Sequence, residues 1–188
     1  MSTAQRQHES DVSVGSSARV KVRPGDPLYN DVLDFLHEEA ELLDEDRLGE
    51  WLGMLGPELS YRMPVRETVA RGEGQGFSLE GAFFDDDLMT VSLRVQRILE
   101  SPNAHSEMPA TRARRFVTNV RVESEGEDVL ARSSVLLLRS RWDVKWFEFL
   151  AARRNDVLHR VGGELKLVDR EILLDQVVPE SPNLSVFL

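Results

Sequence analysis

The side chains that could do chemistry in this chain are few, and their spacing narrows what that chemistry could be. There are four histidines, His8, His37, His105 and His159. A non-haem iron site needs two His and one carboxylate converging on open coordination positions. None of these histidines is close to another in sequence and none makes an H-x-x-x-H pair on a helix, so spacing marks no metal site, though distant residues could still converge. His37-Glu38-Glu39, with Asp44, could seed general acid–base chemistry. The favoured alternative is a solvated helix face, because His37, Glu38 and Glu41 fall mainly off the apolar stripe of their helix. Tyr61, Asp143 and Glu148 are further pocket-lining candidates, and Glu148 is expected to pair with one of the many arginines. Gly72-Glu73-Gly74-Gln75-Gly76 lacks the GK[ST] ending and the G-x-G-x-x-G spacing of a phosphate cradle, and reads as a flexible loop.

Composition removes other chemistries. The chain has no cysteine, which excludes disulfides, thiolate nucleophiles, zinc ribbons and Cys-ligated iron–sulfur clusters, Rieske centres included, within it. Thirty-three acids against 23 bases give a net charge of −10, which argues against nucleic acid as a partner, since phosphate binding rests on clustered Lys and Arg. No apolar run approaches the roughly 20 residues of a membrane span, and the polar start shows no secretory h-region, so the cytoplasm is the expected location. Arg112, Arg114, Arg115 and Arg121 nevertheless form a positive cluster. Two readings stay open for it: pairing with the surplus acids of the same chain, or an interface to a neighbouring subunit, where Arg is enriched and Lys depleted. Trp146 and Arg153 join the interface candidates. Phe187, in an apolar Val186-Phe187-Leu188 segment, could dock on its own sheet or on a partner.

The elements that must position these residues are legible as patterns. Residues 1–25 read as a flexible arm and 26–188 as one domain. Asp26-Pro27 opens a first helix, with Asp26 as N-cap and Leu28, Val32, Phe35 or Leu36, Ala40 and Leu43 on its apolar face. A second helix is expected over about Glu45–Leu55, ended by Gly56-Pro57. Leu59 to Val65 alternates as a strand, with Pro64 near an edge or strand end. Arg66 to about Leu79 reads as a loop, followed by a third helix over about Asp85–Leu99 and a long loop over Ser101–Thr111. Four strands then follow: Arg115–Val122, Val129–Arg139, Val144–Ala152 and Leu165–Val178. Gly162-Gly163 marks a hairpin turn. The expectation is an α+β domain in which a long, curved, four-stranded antiparallel sheet is covered by N-terminal helices. This order is similar to the cone-shaped nuclear-transport-factor-2-like (cystatin-like) fold. Such cones host isomerases, dehydratases and purely structural subunits alike, so the fold alone assigns no function.

Several blocks, in register, carry a closer resemblance. Phe35-Leu36-His37-Glu38-Glu39-Ala40-Glu41-Leu42-Leu43-Asp44, Trp51-Leu52 and Tyr61-Arg62-Met63-Pro64 resemble the opening of the small (β) subunits of aromatic-ring-hydroxylating dioxygenases. Thr111-Arg112-Ala113-Arg114-Arg115-Phe116-Val117-Thr118-Asn119-Val120 looks like the central signature of that family. Ala152-Arg153-Arg154-Asn155-Asp156-Val157-Leu158, Asp169-Arg170-Glu171-Ile172-Leu173-Leu174-Asp175 and Asn183-Leu184-Ser185-Val186-Phe187-Leu188 resemble its later blocks. The departure is Arg115, where many members carry His, which bears on the local interface chemistry. The resemblance implies a non-catalytic structural subunit in an α3β3 hexamer, served by a reductase and usually a ferredoxin. The Rieske 2Fe-2S cluster and the mononuclear iron would lie on the large (α) subunit, which would convert aromatic rings to cis-dihydrodiols. The rival readings are a stand-alone isomerase or dehydratase using a buried carboxylate, perhaps with Tyr61, and, more weakly, a small-ligand binding module.

Overall fold

The computed structural model describes residues 18–70, 72, 74, 76–100, 112–140, 145–177 and 186–188. Helix α1 (Pro27–Asp44) starts where the sequence says it should: Asp26 is extended and accepts a hydrogen bond from the Leu28 amide at 2.9 Å, with Pro27 at the first helical position. Its buried stripe is Val32, Phe35, Leu36, Glu39, Leu42 and Leu43. A short α2 (Leu48–Leu52) follows and buries Leu48 and Trp51. The second helix is thus shorter than expected, and Gly56-Pro57 lies inside strand β2 (Leu55–Arg66) instead of ending a helix.

Strand β3 (Phe77–Asp87) occupies ground read from sequence as loop and helix start, and α3 (Leu88–Glu100) begins after it. The acids Asp85, Asp86 and Asp87 close the strand, and the Asp87 carboxylate accepts from the Thr90 amide at 2.8 Å. The three flanking glycines and the acid run masked a strand whose burial does not alternate cleanly. The sheet then continues through β4 (Arg112–Glu125), β5 (Asp128–Ser140), β6 (Glu148–Val161) and β7 (Glu164–Leu174). Both Gly162 and Gly163 take positive φ, as the tight β6–β7 turn requires.

Among the described residues the sheet has seven strands, in the order β1-β4-β5-β6-β7-β2-β3, where four were expected. Strand β1 (Val20–Val22) pairs antiparallel with Val122–Ser124 of β4, so the part of the expected flexible arm from Val20 to Val22 is an edge strand; residues 1–17 lie outside the described residues. All neighbours are antiparallel except β2 and β7, where Tyr61 lies beside Arg170 in a parallel pair. A parallel pair needs a long connection, and here it spans most of the chain. Pro64 sits at a register shift between β2 and β3, where a missing amide donor costs least. In β4 the ladder shifts between Thr118 and Arg121, with Asn119 at φ +55°, a left-handed conformation that Asn tolerates. Beside this bulge the Tyr29 hydroxyl of α1 donates to the Val120 carbonyl at 3.3 Å. The curved sheet wraps α1 and packs Val122, Ala131, Val135, Leu137, Leu150, Leu158 and Leu167 against the helices.

Candidate functional site

Two regions could carry function: the interior of the cone and the opposite face of the sheet. The interior is built from alternation. Along β6 the inward positions are Leu150, Ala152, Arg154, Asp156 and Leu158, and along β7 Arg170 precedes Ile172 and Leu174 in the same phase. Arg154, Asp156 and Arg170 therefore enter the core because their neighbours at period two do. Glu39 meets them from the buried stripe of α1.

The four make one closed ion-pair cluster. Arg170 is bidentate to both flanks: Nη1 and Nη2 donate to Glu39 at 2.6 and 2.9 Å, and Nε and Nη2 donate to Asp156 at 2.8 and 2.9 Å. Arg154 donates to Glu39 at 3.0 Å and to the Ser133 hydroxyl at 3.3 Å. The Trp51 indole N–H completes the Glu39 shell at 3.2 Å. Burial pushes the Glu39 carboxyl up, but the Arg170 and Arg154 guanidiniums and their hydrogen bonds outweigh it and hold the group at about 2. Tyr61 donates to the Leu188 backbone oxygen at 2.9 Å and accepts from the Leu188 amide at 2.8 Å, and its own pKa is raised by burial. A general base needs a free lone pair and a pKa near the working pH. Glu39 is spent on cations, so the interior does not favour the rival isomerase or dehydratase reading.

The expected site residues divide. His37, Glu38 and Glu41 are exposed on α1, as a solvated face requires, but Glu39 of the same run is buried. The signal for Glu39 was present in its i+3 and i+4 spacing from Leu36 and Phe35 and to Leu42 and Leu43. Glu148 has Arg139 as a cation 3.9 Å away. His159 is a partly exposed partner of Asp128 at 2.7 Å. Asp143, His8 and His105 lie outside the described residues.

Two of the interface candidates are corrected by their positions. Arg115 is buried, and binds Asp44 through Nη1 at 2.6 Å and the Phe187 carbonyl through Nε and Nη2 at 3.2 and 2.7 Å. Phe187 is also buried, with its ring 4.4 Å from Trp51. Both are committed to this chain's own core, because the odd-even phase of β4 turns Arg115 inward between the outward Arg114 and Phe116. Arg112, Arg114, Arg121, Trp146 and Arg153 remain exposed.

Those five flank the outer face. Register places Phe116, Leu136 and Ala151 in one row, and Arg114, Leu138 and Phe149 in the next. Trp146 and Phe147 lie just before β6 and are 70% and 65% exposed, and Phe149 is 55% exposed. Further along, Arg121, Arg132, Asn155, Glu171 and Arg62 form a polar row. With Arg19 and Asp169 they line a groove of about 520 Å3. Burial raises the Asp169 carboxyl pKa against its hydrogen bond from Ser60, with Asp156 and Glu171 adding repulsion. An apolar patch rimmed by Arg is the composition of a subunit contact.

Among the described residues no group of three or more His, Asp or Glu could hold a metal ion, and no helix is long and apolar enough to cross a membrane. With no cysteine in the chain, the donor set does not fit a Rieske centre.

Comparison with known proteins joins these features to a family. The family model described as the ring hydroxylating beta subunit matches residues 38–181. This chain belongs to that family. It is 35% identical over 178 residues to the biphenyl 2,3-dioxygenase subunit beta of Rhodococcus jostii (strain RHA1), covering 90% of this chain and 94% of the relative. It is 36% identical over 169 residues to the benzene 1,2-dioxygenase subunit beta of Pseudomonas putida (strain F1), covering 85% and 88%. Among solved structures, a chain of naphthalene 1,2-dioxygenase with indole bound in the active site superposes with a TM-score of 0.75 at 30% identity, covering 85% of this chain and 84% of that one. The cone-shaped α+β architecture is thus the one expected from the order of elements, and the chain is a dioxygenase β subunit whose role is structural.

Proposed function

We propose that this chain supports an iron-bearing α subunit in an α3β3 aromatic-ring-hydroxylating dioxygenase of the cytoplasm, with residues 26–188 as its single domain. The Rieske 2Fe-2S cluster and mononuclear iron belong to the α subunit in this reading. Electrons come from NAD(P)H through a reductase and a ferredoxin, and the product is a cis-dihydrodiol of an aromatic hydrocarbon or acid. The names of the relatives, which act on biphenyl and benzene, support the aromatic class. The observation that carries the structural role is the division of labour between the two faces. The interior carboxylate best placed for catalysis is locked by two guanidiniums, while the outer face exposes Phe116, Leu136 and Phe149 beside Arg112, Arg114, Arg153 and Trp146. We assign that outer face to subunit contacts, with Arg121 on its polar side.

The test is to express the chain alone and with its large subunit, then measure mass by light scattering and iron by metal analysis. An iron-free lone chain and an iron-bearing hexamer with the partner are expected. A stable lone chain that ignores the large subunit, or stoichiometric iron in the lone chain, would overturn the reading.

A further inference from the structure

The segment Val186–Leu188 makes contacts of the kind a ligand makes. It belongs to no helix or strand, yet Phe187 and Leu188 are each only 2% exposed. The Phe187 ring lies 4.4 Å from the Trp51 ring, with the Arg94 guanidinium 4.5 Å from its centroid and Tyr61 edge-on at 6.2 Å. Its carbonyl accepts twice from Arg115, at 3.2 and 2.7 Å. The Leu188 oxygen accepts from Tyr61 at 2.9 Å and from Arg170 at 3.1 Å, and the Leu188 amide donates to the Tyr61 hydroxyl at 2.8 Å. The segment's main-chain groups are thus recognised by side chains of β2, β4 and β7 and its ring by α2, α3 and β2, not by a ladder.

The contacts select the kind of occupant. A ring held between an indole and a guanidinium, next to a backbone carbonyl that accepts twice from Arg115, describes an aromatic residue in a peptide.

We propose that the interior of the cone is a binding pocket for an aromatic-bearing peptide segment, filled here by the chain's own Val186–Leu188 and opened when that segment is withdrawn. The segment takes the place that a small-molecule occupant could otherwise fill, and latches α2 and α3 to β2, β4 and β7.

The test uses a variant lacking Val186, Phe187 and Leu188 in a Trp142→Phe, Trp146→Phe background, which leaves Trp51 as the reporter among the three tryptophans. The probe is a synthetic peptide with the sequence of Asn183–Leu188. The expected result is that the peptide raises the melting temperature of the shortened chain and changes Trp51 emission. The same peptide with Ala for Phe should bind at least roughly tenfold more weakly, because the ring supplies most of the contact area. The full-length chain should not respond. A folded shortened chain that ignores the peptide would overturn the proposal, as would equal binding of the peptide to the full-length chain. Should the shortened chain fail to fold, Phe187→Ala in the full chain replaces it. That variant is expected to bind toluene with a rise in melting temperature, and no response would equally overturn the proposal.

Discussion

Glu39 and Arg170 show how charged residues are accommodated in a core. Taking a carboxylate out of water costs several kcal/mol, and only complete pairing offsets that. Here Glu39 is met by two guanidiniums and an indole N–H, and Arg170 by two carboxylates and a backbone oxygen. Breaking the set should be costly: Glu39→Ala is expected to destabilise the chain by about 3–5 kcal/mol, because it leaves Arg154 and Arg170 short of a counter-charge. Urea unfolding of the lone chain checks this. Acid should act on the same group. A carboxyl held at about 2 when folded and near its ordinary 4.5 when unfolded contributes stability that is fully present above pH 4.5 and is lost as pH falls towards 2. Unfolding free energy measured across that window should fall steeply for the wild type, and the fall should be smaller in Glu39→Gln.

The elements hold together at close approaches that leave no room for change. At Gly56, a Cβ would stand 2.7 Å from Val168 Cγ1 and 3.3 Å from the Leu167 carbonyl, where β2 first runs alongside β7. Gly56→Ala should therefore destabilise by roughly 1–3 kcal/mol through overpacking, seen as a melting temperature lowered by about 2–4 °C for each kcal/mol. Asn119 plays the opposite part, supplying a positive φ at the bulge that bends β4 over α1. A β-branched residue there is strained, so Asn119→Val should cost on the order of 1–3 kcal/mol, checked by the same thermal measurement. The first strand is a reminder that edge pairing needs little sequence: Val20, Lys21 and Val22 suffice when β4 offers an open edge.

At the scale of the whole molecule, the sheet separates a sealed inner face from an outer face that keeps aromatic side chains in water. Exposed aromatic patches of this kind mark contacts between proteins. Substituting Phe149, which is exposed on β6, with Asp should leave the melting temperature of the lone chain within about 2 °C, since surface changes usually stay near ±0.5 kcal/mol. Co-purification with the α subunit should fall at least roughly tenfold, because truncating a contact centre commonly costs more than 1.4 kcal/mol. Retained assembly would move the contact away from this end of the sheet.

Local pattern and composition determined a good part of this protein. The first helix and its cap, the four later strands and the lack of any Cys-ligated cluster follow from residue type and spacing alone, although β6 runs on to Val161 where the pattern marks a strand only over Val144–Ala152. The family blocks around Arg112–Val120 and Asp169–Asp175 were readable in the same way. The tertiary structure decided what depends on partners distant in sequence. It made Val20–Val22 a strand, it set β2 parallel to β7, and it turned Phe77–Asp87 into a strand although glycines and acids obscure its alternation. It also divided the arginines. Arg114 and Arg115 are neighbours of identical chemistry, yet the pleat sends one to solvent and the other to Asp44 and Phe187. Which of them faces inward depends on the phase of β4 against a helix some seventy residues earlier, and no local window contains both.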